Sequence, residues 1–229
     1  TLMAGGAAFD HAARLARENP GLDVGCHLVL VGGRSLVPPH PPLPATVTAL
    51  VRALIAGRVR PYDEFRAQVE RILAAGLRPT HLDTHKHTHL LPPVLEAVAR
   101  IARQFGIRWV RRPFDLPLGA RGAPFALRLA SRALALPRRW FHQKLEAAGC
   151  ATTDHFAGLQ MTGRLGTPEL VALIRGLPSG STELMCHPGH CGEELRAART
   201  RLKESRAREL EALTAPETRA ALEEAGVRL

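Results

Sequence analysis

The sequence predicts an α/β fold with parallel strands, on three observations. Strand-like segments alternate with helical ones along nearly the whole chain. Helices placed between strands imply right-handed crossovers and parallel pairing, hence an α/β sheet or barrel. Histidines collect at the ends of the strand-like segments, and in such folds the carboxyl ends of the strands are where functional side chains gather.

Taken in order, "AFDHAARLAREN" places apolar residues at helical spacing and stops at Asn19-Pro20. "LDVGCHLVLV" is apolar and β-branched enough for a buried strand, and a Gly/Pro loop follows over 32–44. Helical patterns run over about 47–56 and 62–75. "RPTHLDTHKHTHLLPPV" reads as the next strand, and "PVLEAVARIARQFG" as an amphipathic helix with proline in its first turn and Gly106 just past its end. "IRWV" is a third strand, closing at Arg111-Arg112-Pro113. Beyond a Gly/Pro-rich loop, helices are expected at about 125–136 and 139–148, and a fourth strand at "DHFAGLQ". "TPELVALIRGLP" is a helix with Thr167 as N-cap and Pro168 at the first helical position. "STELMCHPGH" is a fifth strand, and helical sequence finishes the chain.

At 229 residues the chain can bury a substantial core, and no Gly/Ser linker or low-complexity tract divides it, so one domain over 1–229 is expected. A net charge of +10 would suit nucleic acid or an anionic surface. Yet only Lys86, Lys144 and Lys203 of the 31 basic residues are lysine, and the 28 arginines sit in an Ala- and Leu-rich chain, as biased genome composition produces. Aromatics are 4%, too few for a stacking platform, and no nucleic-acid partner is expected. Cys26, Cys150, Cys186 and Cys191 are too few and too scattered for a disulfide scaffold, which points to a reducing cytoplasm. No apolar run approaches a membrane span, and the opening segment lacks the pattern of a signal peptide, so a soluble, unsecreted chain is expected.

His81, Asp83, His85, His87 and His89 fall within nine consecutive residues. Alternation with period two between Pro79 and Pro92-Pro93 reads as a short strand running into a loop, so the alternate side chains of Asp83, His85, His87 and His89 share one face. Core packing rarely puts four ionisable groups on one face, because buried ones must be hydrogen-bonded or bound to metal. The cluster therefore points to metal binding or catalysis. His27 lies within or near the end of one strand, and His187 and His190 at the end of another. With the strands as parallel neighbours, all three sites would converge on one centre; alone, His27 would read as a satisfied core histidine. "CHPGHC" packs Cys186, His187, His190 and Cys191 too tightly for the spaced pairs of a structural zinc site.

In this order these segments resemble the YdjC-type carbohydrate deacetylases, a family that includes chitooligosaccharide deacetylases and the deacetylase associated with hopanoid biosynthesis. "LARENPGLDVGCHLVLVGG" resembles the family's G-x-H-x-x-L segment, "RPTHLDTHKHTHLLPPV" its histidine-rich signature, and "ELMCHPG" its later His-Pro strand end. The likeness spans essentially the whole chain, and "TTDHFAGLQMTG" leans toward the hopanoid-associated branch. It implies an irregular (β/α) barrel of the TIM-like deacetylase type with one divalent metal ion, Mg or Zn, bound through an Asp and two His. The G-x-H histidine corresponds to His27 and the histidine closing "HLDTH" to His85, the two metal ligands on this chain. The Asp ligand belongs to a double-aspartate motif on the family's first strand. This sequence has no Asp-Asp pair, so the chain is expected to begin after the first strand and helix, as an N-terminally truncated deacetylase domain.

The implied reaction removes acetyl from an N-acetylated sugar, either an oligosaccharide or a lipid-linked glucosamine. His187 is the candidate for donating a proton to the departing amine or stabilising the oxyanion. Asp83 reads as orienting a ligating imidazole through its other nitrogen, or as a strand-end cap. His87 reads as a sugar contact or a solvated residue, and His89 as solvated. Arg111 and Arg112 read as ordinary members of an arginine-rich composition. Two alternatives stay open: another barrel metallohydrolase, of amidohydrolase or phosphoesterase type, and an inactive sugar-binding domain, since the Asp-Asp motif is absent. A homodimer is left open.

Overall fold

In a computed structural model of the chain, which describes residues 1–116, 129, 132–133, 135–198 and 200–229, contacts divide the protein into two units. The first comprises Thr1–Arg111 and Pro137–Thr152, the second Arg112–Leu136 and Thr153–Leu229.

In the first unit, β1 (Cys26–Leu28), β2 (His81–Thr84) and β3 (Trp109–Val110) pair in parallel in that order. The register sets Cys26 against Leu82, His27 against Asp83 and Leu28 against Thr84. Leu2 bridges to Cys26 and Ala151 to Trp109, both in parallel, so single residues continue the sheet beyond β1 and β3. The helices are α1 (Phe9–Glu18), α2 (Val47–Ile55), α3 (Pro61–Ala74), α4 (Pro92–Phe105) and α5 (Arg138–Ala147). Thr46 caps α2, its hydroxyl accepting the Ala49 N–H at 3.1 Å. Pro61 and Pro92 open α3 and α4, where an amide proton would have no helical partner. Gly106 ends α4 in the left-handed conformation. Phe65, Val69 and Ile72 recur at helical spacing on α3, as do Leu95, Val98 and Ile101 on α4, and all are buried with Leu28 and Leu82 of the strands. Each such side chain contributes about 1.5–3 kcal/mol by leaving water.

The second unit has β4 (His155–Ala157) paired in parallel with β5 (Thr182–Leu184), and Asp115 bridging to Phe156. Its helices are α6 (Thr167–Arg175), α7 (Glu193–Ala197), α8 (Glu204–Thr214) and α9 (Pro216–Glu224). Leu170, Leu173 and Ile174 of α6 pack with Ala212 of α8 and Ala221 of α9 in its core.

The expected parallel α/β architecture is present, with strands shorter than their sequence patterns. Among the described residues they form a three-stranded and a two-stranded parallel sheet rather than a closed barrel. The histidine segment departs most from expectation. β2 stops at Thr84, and His85–Leu90 forms a tight turn of 3-10 character in which Lys86 and His87 take φ of 55° and 52°. The Thr84 hydroxyl, which accepts the His89 N–H at 3.1 Å, offers the backbone a local bond in place of the strand ladder. Alternation therefore does not set all four side chains on one strand face. The N-cap of α6 is Gly166 rather than Thr167, with the Glu169 side chain reaching back to the Gly166 N–H at 3.1 Å. The helix expected at 125–136 falls largely outside the described residues. Among the described residues no helix is long and apolar enough to cross a membrane.

Candidate metal centre

Neighbouring positions of β1 and β2 put the side chains of His27 and Asp83 on the same face of the sheet. His27 Nδ1 lies 2.9 Å from Asp83 Oδ2. An ionised carboxylate only accepts, so Nδ1 carries a proton, and in the neutral form of the ring Nε2 keeps a lone pair. That nitrogen is 3.4 Å from His85 Nδ1, the two rings standing edge to face. Two nitrogens each about 2.0–2.1 Å from a tetrahedral zinc ion lie about 3.3 Å apart. The pair thus fits two corners of a coordination shell, with Asp83 behind His27 in carboxylate–histidine–metal order. The same distance also allows a long hydrogen bond from His85 to His27 Nε2, and both uses need that lone pair. Among the described residues no three His, Cys, Asp or Glu side chains are grouped to hold a metal ion, so the site here consists of two nitrogens.

Arg111, just beyond β3, places Nη1 2.5 Å from the same Asp83 oxygen. Asp83 is 1% exposed. Burial pushes its carboxyl up, but the hydrogen bond and charge of His27, joined by the Arg111 guanidinium, outweigh it and hold the group down at about 2. Asp83 is therefore an anion across the whole working range of pH. Arg111, expected to be compositional background, belongs to the site. The signal that could have found it is positional: it follows the strand that neighbours the histidine-bearing one.

His87 sits in the left-handed part of the turn, and burial, with the charges of His89 and Arg111, pushes its pKa down to about 3. It is neutral at ordinary pH. His89 is the opposite of solvated: it is fully buried, its Nε2 3.0 Å from the Arg111 carbonyl and its Nδ1 2.5 Å from the Thr84 hydroxyl. The protein thus uses it as a satisfied core imidazole. A cavity of about 310 Å³ opens beside His85, walled in part by Met3, Val29, Gly33, Arg34 and Gln68.

His187 lies in the second unit, beyond the end of β5. Its N–H donates to Glu209 Oε2 at 2.5 Å, and its ring Nδ1 is 4.0 Å from that oxygen. Glu209, 1% exposed, also accepts the Gly163 N–H at 3.3 Å. His190 is exposed, and all four cysteines are free thiols. Arg112 donates to the carbonyls of Thr153 and Asp154 and so braces the chain entering β4.

The family model of YdjC-like proteins matches residues 1–224. The chain is 34% identical to a carbohydrate deacetylase of Geobacillus stearothermophilus, across all of this chain and 82% of that protein. It is 31% identical to a chitooligosaccharide deacetylase of Salmonella paratyphi B, across all of this chain and 84% of the other. A carbohydrate deacetylase of Homo sapiens is 30% identical, across all of this chain and 79% of its own length. In fold the chain is similar to the crystal structure of an Enterococcus faecalis V583 protein described as a candidate cellobiose-phosphate cleavage protein. The TM-score is 0.75 over 99% of this chain and 83% of that one, at 21% identity.

Proposed function

The chain belongs to the family of YdjC-like proteins, and on that premise we propose that it is an enzyme that removes the acetyl group from N-acetylated sugars, using one divalent metal ion held by His27 and His85. The approach of His27 Nε2 to His85 Nδ1 at 3.4 Å, with Asp83 bonded to the far nitrogen of His27, supports this most directly. Two imidazoles suit zinc better than magnesium, which prefers oxygen ligands. When bound, such an ion supplies Lewis acidity and a water of lowered pKa.

The remaining work falls to the chain's own side chains. Asp83 keeps the His27 proton on Nδ1 and so keeps Nε2 able to ligate. His87, neutral and on the same turn as His85, is proposed to bond sugar hydroxyls as both donor and acceptor. His187 is proposed to give a proton to the amine nitrogen as the C–N bond breaks, or to stabilise the oxyanion, on the suitability of imidazole for proton transfer near neutral pH. The 310 Å³ cavity beside His85 falls at the lower end of small-molecule pocket volumes, as one acetamido sugar requires. The sugar is proposed to belong to an oligosaccharide or a lipid-linked glucosamine. Residues 1–229 are read as one deacetylase domain of the irregular, TIM-like (β/α) barrel type, with free thiols that fit a cytoplasmic setting.

Acetate release from N-acetylglucosamine oligomers tests this. Chelation should abolish release and a divalent ion restore it. His27→Ala and His85→Ala should each lose more than the roughly 10–100-fold typical of substitutions behind the ligands. Release indifferent to chelation, or none from metal-loaded protein on any N-acetylated sugar, would sink the proposal.

A further inference from the structure

We infer that Arg111 is a positioning residue for the metal-facing imidazole of His27, and that His89 holds Arg111 in place to do so. The consequence for catalysis rests on His27 being a metal ligand, as proposed above; the geometry does not.

Asp83 offers one oxygen, Oδ2, to two donors: His27 Nδ1 at 2.9 Å and Arg111 Nη1 at 2.5 Å. Its other oxygen, Oδ1, is buried with no hydrogen-bond partner among the described residues. A buried carboxylate with a single partner can turn about its Cβ–Cγ bond and swing its acceptor lone pair away from the imidazole. The Arg111 guanidinium, paired with the same oxygen that faces His27, restrains that turn and keeps the acceptor aimed at Nδ1. Ring direction and tautomer of His27 follow from it, and with them the aim of Nε2 toward His85.

Arg111 is in turn fixed through its main chain. Its N–H donates to the Leu82 carbonyl at 3.0 Å, and its own carbonyl accepts from His89 Nε2 at 3.0 Å. His89 has only one way to do this. The Arg111 carbonyl can only accept, so the ring proton resides on Nε2; in the neutral ring Nδ1 then keeps a lone pair, toward which the Thr84 hydroxyl at 2.5 Å turns its proton while its oxygen accepts the His89 N–H at 3.1 Å. The ring is fully buried, 5.5 Å from the Phe141 ring by centroids. One imidazole of the cluster is thus spent on anchoring, through Arg111 and Asp83, the imidazole of another strand.

The full chain, freed of metal, allows two readouts: imidazole proton–nitrogen NMR for the His27 tautomer, and calorimetric titration with Zn²⁺ alone. Wild type should show a single His27 tautomer protonated at Nδ1. Arg111→Met should mix the tautomers and weaken Zn²⁺ binding about 10–100-fold, and Arg111→Lys, which keeps a cation on Asp83, should recover part of both. A wild-type His27 protonated at Nε2 overturns the inference whatever the variants do, so it remains decidable even if Arg111→Met fails to fold. Folded variants with wild-type spectra and affinity overturn it too. A tautomer response in a protein that takes up no Zn²⁺ upholds the positioning role and removes the ligand reading instead.

Discussion

His27 and Asp83, register partners in adjacent parallel strands, meet at 2.9 Å through a carboxylate oxygen that is also 2.5 Å from Arg111. The carboxylate is a buried anion held by two donors. Removing one partner of a buried ion pair costs about 3–5 kcal/mol, because the other charge stays desolvated. Urea unfolding of Asp83→Ala should show a loss of that order, whereas Asp83→Asn, which keeps an acceptor for His27, should lose less. Equal stability of Asp83→Ala and wild type would contradict the buried pair.

His89 predicts how stability depends on pH. Burial lowers its pKa to about 4, against the opposing pull of the Arg111 carbonyl. An unfolded histidine titrates near 6.5. Between those values the unfolded chain takes the proton and the folded one does not, so stability falls as pH drops from about 6.5 toward 4, by up to about 1.4 kcal/mol per pH unit. Above 6.5 the group has no effect on the slope. Denaturant midpoints against pH should therefore fall more steeply for wild type than for His89→Gln below 6.5, and parallel curves would contradict the assignment.

Gly158, just past β4, has φ of +126°, and a Cβ there would lie 2.2 Å from the Met185 carbonyl oxygen. Strain alone costs about 1–3 kcal/mol, and the clash is with backbone that cannot step aside. Gly158→Ala should lose more than about 2 kcal/mol, or fail to fold. An unchanged melting temperature would show that Met185 approaches less closely in solution.

Gln68 bonds to the main chain of Val29 as a strand would: Nε2 donates to the carbonyl at 2.7 Å and Oε1 accepts the N–H at 2.8 Å. Glu64 steadies it, accepting from Nε2 at 2.8 Å while also holding the Leu36 N–H and the Ser35 hydroxyl. In Gln68→Met, Val29 loses both partners, at about 1–3 kcal/mol for each group left buried. Val29 and Gln68 both line the cavity beside His85. Steady-state deacetylation should accordingly show a raised KM with kcat changed less; a fall in kcat at constant KM would count against this role.

Which parts of this were legible follows from what each inference needed. Convergence of His27 with the 81–89 segment requires only that two strands be parallel neighbours, and helix-separated strand patterns supply that. The turn at Lys86 and His87 has no such marker. Both residues adopt a conformation usually given to Gly or Asn, and period-two alternation reads the same whether the chain runs on or turns back. Arg111 is hidden by its 27 fellows: a residue type this abundant carries no contrast, and only the approach of its guanidinium to Asp83 singles it out. His89 and His85 look alike in sequence. They differ in burial, which depends on Phe141 and Thr84 closing around one of them.

The register of β1 on β2 also bears on how the chain finds its fold. A slip of one residue would bring Cys26 or Leu28 to Asp83 in place of His27. The buried carboxylate would then face a hydrocarbon, or a thiol that burial keeps protonated and that donates weakly. Misaligned ladders are thus penalised before any substrate arrives, and the contact between His27 and Asp83 works like a notch that admits only one alignment of the two strands.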